Sequence, residues 1–193
     1  MSSTIPYFFP ILFFIILFLS FNPTTSNNHL IQEICKKTSE TDPNVSLNFC
    51  ISSLESDPSS HSIRLSLTKL GLISMNLTKN KVTETRVYIE HLLKKKTKQG
   101  SSSSIDRYIK DCLKDCLELY SDAIATTEDA IGDYKRKRYL VSNIKVSSVL
   151  DAASTCEDGF KEKRGVVSPL NKGNNETFQL SAIALSIIDM VRE

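Results

Sequence analysis

The chain is short of the residues from which catalytic and metal sites are built. Its histidines, His29, His61 and His91, stand far apart, and none has a carboxylate or nucleophile at a readable spacing. Surface or helix-capping roles suit them better than catalysis. No His-Glu pair has metal-ligand spacing, no glycine-rich phosphate loop follows a strand, and no Gly-x-Ser-x-Gly elbow is present. Cys112 and Cys116 are too widely spaced for a redox Cys-x-x-Cys and have no zinc-ligand partners. Asp129, Asp133, Glu157 and Asp158 are expected to be solvated rather than to form an acid and base pair. A net excess of one charge is lacking too: the formal charge is +2, which argues against nucleic acid as a general partner. No stretch reads as strand. These absences point away from an enzyme and away from a cofactor or metal.

No hydrophobic run reaches the ~20 residues a spanning helix needs. The most apolar one, Ile11 to Leu19, lies in a segment, Met1 to Ser26, that has no charged side chain and ends in small polar residues. That is the pattern of a secretory signal peptide, with cleavage expected after Ser26 and Ser20 as the alternative. The mature chain, residues 27–193, is of single-domain size, with no membrane segment. Secretion places it outside the cell, in the wall space, with the vacuole as a second destination.

That compartment favours disulfides, and there are five cysteines, so one stays free or pairs with another molecule. Sequons at Asn44, Asn76 and Asn175 suit the same compartment as possible N-glycosylation sites.

What the chain does have is helical periodicity. Two short patterns between Leu30 and Leu54 flank the turn-rich Ser39 to Asn44, with Cys35 on one limb and Cys50 on the other. Helices this short are marginal alone, and pairing of these close cysteines staples them into a hairpin, residues 27–60. A long helix is expected from His61 to about Lys96, capped by Ser60, with Ile63, Leu67, Leu70, Ile73 and Leu77 as its stripe. The Gly100 to Ser104 linker follows, its last serine a candidate cap. The next helix carries Ile105, Ile109, Cys112, Cys116, Leu119, Ala123, Thr127, Ala130 and Tyr134 on one face. A third carries Tyr139, Val146, Val149, Ala153, Cys156 and Phe160, and a fourth, Glu176 to Val191, is apolar nearly all round, as in a bundle interior.

The expected architecture is all-α, with the hairpin packed on an up-down antiparallel four-helix bundle, residues 61–193. Cys112 and Cys116 are one turn apart on one face, so periodicity does not choose which of them meets Cys156. Of three basic runs, Lys94 to Lys98 and Lys161 to Arg164 read as solvated helix ends. The third, Lys135 to Arg138, could attract an acidic wall polymer.

Several motifs in order resemble the plant invertase inhibitor and pectin methylesterase inhibitor family. They are the Cys35 and Cys50 hairpin, Asp115-Cys116-Leu117-Glu118-Leu119-Tyr120-Ser121-Asp122-Ala123, Thr155-Cys156-Glu157-Asp158-Gly159-Phe160, and Gln179 to Ile187. The Cys156 to Lys163 run and the later Val167-Ser168-Pro169 look most like the pollen-allergen branch of proposed invertase inhibitors. The resemblance implies disulfides Cys35 to Cys50 and Cys116 to Cys156, with Cys112 as the additional thiol, read as a small buried core residue. It implies inhibition by protein docking, without a cofactor. Invertase-directed members use a Pro-Lys-Phe loop at the third bundle helix, and the matching residues here are Lys137, Arg138 and Tyr139. Arg138 can fork onto a carboxylate and Tyr139 supplies a ring, while the proline has no counterpart. Members directed at pectin methylesterase lay bundle helices over its cleft. Acid invertase is therefore the expected partner, with pectin methylesterase as the alternative and a non-inhibitory pollen or wall protein as the second.

Overall fold

The computed structural model describes residues 23–99 and 103–193, with side chains placed from 28 to 96 and from 103 to 193. Residues 1–22 of the expected signal peptide and 100–102 of the serine linker lie outside the described residues. The described residues form six α-helices: α1 Pro23–Thr41, α2 Leu47–Glu55, α3 Leu67–Gln99, α4 Ser104–Lys135, α5 Tyr139–Lys161 and α6 Asn171–Arg192. Among the described residues there is no strand, and no helix is long and apolar enough to cross a membrane. Helix α1 reaches back past Ser26, so cleavage there would trim its first turn.

Cross-helix contacts settle the topology. Arg86 meets Ser121 and Lys96 meets Asp106, so α3 and α4 run in opposite directions. Tyr108 bonds Gly159 while Ser142 bonds Ala130, which makes α4 and α5 antiparallel. Asn171 meets Glu157 and Asn143 meets Asp189, reversing α6 against α5. Lys81 on Glu176 closes the ring between α3 and α6. This is the up-down bundle that short connections favour.

The hairpin closes through Cys35–Cys50 and packs Ile31, Ile34, Val45 and Leu54 against Leu70, Ile73, Ile183 and Ile187 of α3 and α6. Two polar ties add direction to that apolar contact: the Ser46 amide donates to Gln179 Oε1 (2.8 Å), and the Thr38 and Ser186 hydroxyls pair (2.8 Å). In the bundle, the Cys116–Cys156 bridge joins α4 to α5 among Leu113, Tyr120, Val149 and Phe160. Tyr134 lies across α3 where Gly71 leaves room, its hydroxyl donating to Thr68 O (3.2 Å). A Cβ on Gly71 would overlap that hydroxyl, so the close approach requires glycine there.

Three boundaries differ from the sequence expectation. Helix α3 starts at Leu67, with Ser66 Oγ accepting from the Lys69 amide, because Asp57 caps a separate 3-10 turn over Pro58–His61. Ser60 is consequently buried instead of capping, and Ile63 is 79% exposed instead of in the stripe. Ser103, not Ser104, caps α4 through the Asp106 amide. Helix α6 begins at Asn171, five residues before the apolar run, and its first turn carries Asn174 inward, where Tyr120 and Glu157 hold it.

Candidate target-docking surface

The turn between α4 and α5 is built on Asp133. Residues Ala130, Ile131 and Tyr134 are core positions of α4, and the helical period carries Asp133 inward with them, to 1% exposure. It is not the solvated carboxylate expected from the sequence. A buried charge must be paired, and three cations do so. Lys145 Nζ lies 2.8 Å from Oδ2, Arg136 Nη2 donates to Oδ1 (3.0 Å), and Arg138 Nη2 donates to the same oxygen. The Lys145 ammonium and the Arg136 guanidinium, more than offsetting burial, hold the Asp133 carboxyl far below its ordinary value, with Arg138 adding to them.

This carboxylate shapes the turn. The Arg138 amide donates to the Asp133 carbonyl (2.9 Å) and the Lys137 amide to the Tyr134 carbonyl (2.9 Å). Lys137 is left with φ 60°, the left-handed region that side chains other than glycine's rarely occupy. Among the described residues no ion pair holds Lys135 or Lys137, and both are exposed. Tyr139 is half-buried, its ring edge-on to Tyr134 with centroids 5.1 Å apart.

The three residues singled out from the sequence are thus contiguous but differ in role. Lys137 projects into solvent, Arg138 is engaged with its own chain's Asp133, and Tyr139 is part of the packing. The sequence reading missed the neighbours that complete the surface. Leu140, Val141 and Ile144 are 57%, 41% and 61% exposed, and the first two line an open cleft of about 390 Å3 with Lys137, Val191 and Arg192. A signal was present: α5 has apolar residues at 140, 141 and 144 in addition to its core stripe, more than one buried face accommodates.

The remaining candidates are dispersed. Cys112 is a buried free thiol on Gly159 O (3.5 Å), which the Tyr108 hydroxyl also contacts; burial pushes the thiol up. Glu157, also expected to be solvated, is half-buried and accepts from Asn171 and Asn174. Asp129 and Asp158 are exposed. His29, His61 and His91 lie on the surface, and no cluster of metal-binding side chains occurs among the described residues. Asn44, Asn76 and Asn175 are all exposed.

The class of protein defined so far is a disulfide-tied, all-α bundle with an apolar ledge and a projecting cation on its surface. Residues 29–187 match the family model for plant invertase/pectin methylesterase inhibitors, and the chain belongs to that family. The family consists of inhibitor proteins, not catalysts, so this protein is an inhibitor-type protein and not an enzyme. A protein named putative invertase inhibitor from Platanus orientalis is 41% identical over 84% of this chain and 89% of its own. A pectinesterase inhibitor from Actinidia deliciosa is 33% identical over 93% and 91%. The crystal structure of a mutant form of an Arabidopsis pectin methylesterase inhibitor superimposes with a TM-score of 0.60 at 26% identity, covering 75% of this chain and 89% of that one.

Proposed function

We propose that this protein is secreted, with residues 1–26 as its signal peptide, and inhibits plant acid invertase in the wall space by docking through residues 137–144. The observation that carries the reading is the juxtaposition of Lys137, held outward by the Asp133 turn, with Leu140, Val141 and Ile144 exposed on the next turn of helix. An apolar ledge of this kind buries against a partner, and the unpaired Lys137 beside it fits an active site that works with carboxylates. The 41% identity to the Platanus protein supports invertase over pectin methylesterase. The second reading, inhibition of pectin methylesterase, is favoured by the Actinidia relative and the Arabidopsis structure.

Titration of the protein against both enzymes at mildly acidic pH tests the reading, with invertase expected to lose activity at near-stoichiometric inhibitor. Leu140→Asp with Ile144→Asp should weaken inhibition at least about thirtyfold, the size of one interfacial hot spot of ~2 kcal/mol, at unchanged helix content. Inhibition of pectin methylesterase alone would replace the first target by the second, and full inhibition by the double variant would move the contact elsewhere.

A further inference from the structure

Docking through the α4–α5 turn leaves a second feature unused. Asn44 and Asn175, acceptors of two sequons far apart in sequence, line one groove of about 360 Å3 between the α1–α2 turn, the end of α5 and the start of α6. Its floor is a fixed polar network. The Tyr120 hydroxyl donates to Asn174 Oδ1 (2.7 Å), buried Asn174 donates to Glu157 Oε2 (2.8 Å), and Asn171 donates to Glu157 Oε1 (2.9 Å). Two of the roughly four acceptor sites of that carboxylate are thereby used, and the others are left for hydroxyl donors. Phe178 supplies a half-buried ring in the same groove. Asp158 is paired with Lys161, so the groove offers neither the cationic lining that an acidic polymer needs nor a wholly apolar one.

Planar amides, an oriented carboxylate and one ring face are the chemistry that receives a neutral, hydroxyl-rich ring, and the volume is at the small end of ligand sites. We propose that the groove seats a neutral saccharide, the N-linked glycan of Asn44, whose first sugars tie the hairpin turn to α5 and α6. Asn44 is the better anchor of the two. It lies in the exposed turn after Asp42, and Ser46 of its sequon is exposed, whereas Asn175 lies within α6 and Thr177 of its sequon is buried. The inference rests on the secretory reading and is independent of the target enzyme.

The full chain, secreted from plant cells, is peptide-mapped by mass spectrometry. Hydrogen exchange is then compared before and after enzymatic deglycosylation. A glycan on Asn44 is expected, and amides of 153–161 and 171–178 should exchange at least about threefold more slowly while it is present. Phe178→Leu should abolish that slowing with Asn44 still occupied. A secreted chain with bare Asn44, or equal exchange with and without the glycan, overturns the proposal. A chain never released to the medium overturns the secretory reading and the glycan with it. The unglycosylated chain titrated with N,N′-diacetylchitobiose and with cellobiose separates the two saccharide sources. Tighter binding of cellobiose would assign the groove to a free wall saccharide and overturn the link to Asn44.

Discussion

At the scale of single residues, Asp133 and Lys137 decide what the proposed docking surface looks like. Asp133 has its folded pKa lowered below 3.8, mainly by Lys145 and Arg136. A depressed carboxylate stabilises the fold in full at any pH above its unfolded value, begins to lose that contribution below it, and has lost all of it once pH has fallen through the folded value. Wild type should therefore exceed Asp133→Asn in thermal midpoint by a constant margin between pH 7 and 5, and the margin should shrink below about pH 4. A margin that grows on acidification would contradict the pairing. Lys137 tests the turn from the other side. Lys137→Gly removes the side chain while suiting φ 60°, so stability should be kept or rise by up to about 1 kcal/mol. Inhibition should weaken, as read from the inhibition constant beside the melting curve. Neither role was legible in the run Lys135 to Arg138, because four adjacent cations look alike until the fold supplies a buried carboxylate for two of them.

At the scale of elements, the two disulfides do different work. Cys35–Cys50 closes a 15-residue separation around helices too short to persist alone. Cys116–Cys156 closes 40 residues between helices already held by the core. The chain-entropy account gives about 3 and about 4 kcal/mol respectively. Chemical denaturation of Cys35→Ala/Cys50→Ala and of Cys116→Ala/Cys156→Ala should show losses of that order. In the first variant, hydrogen exchange should rise selectively in 30–55. Cys112→Ala should cost only about 1 kcal/mol, the loss of a small buried group, and leave both bridges in a peptide map. The helices themselves were readable from periodicity, whereas their ends were not. Ser60 is the cap expected on paper, but Asp57 and Pro58 commit Pro58–His61 to a 3-10 turn, and the helix starts later with Ser66 accepting from the Lys69 amide. Helix α6 hid its first turn for a related reason: Asn174 reads as polar surface, but Tyr120 and Glu157 give it partners inside.

At the scale of the whole molecule, charge is spread rather than concentrated. Arg136 and Arg138 are both turned to Asp133, so the basic run presents Lys135 and Lys137 where the sequence suggests four cations. Attraction to de-esterified pectin should accordingly be weak and disappear by about 0.5 M salt in a sedimentation assay, since exposed charges are screened within a few Å there. Binding that survives high salt would reveal a specific polymer site.

The all-α class, the bundle, the hairpin and its disulfide were determined by the sequence alone, because apolar spacing and cysteine proximity are local properties of the chain. The motif order added the Cys116 to Cys156 pairing, on which local spacing was silent. Only the tertiary structure decided which charges are spent inside the molecule and which are offered outside. Asp133, Asn174 and Glu157 look like surface residues until partners from distant helices arrive. Leu140, Val141 and Ile144 look like core until the bundle closes without them. Burial is a property of the assembled fold, and it is burial that separates the scaffold from the surface this protein presents.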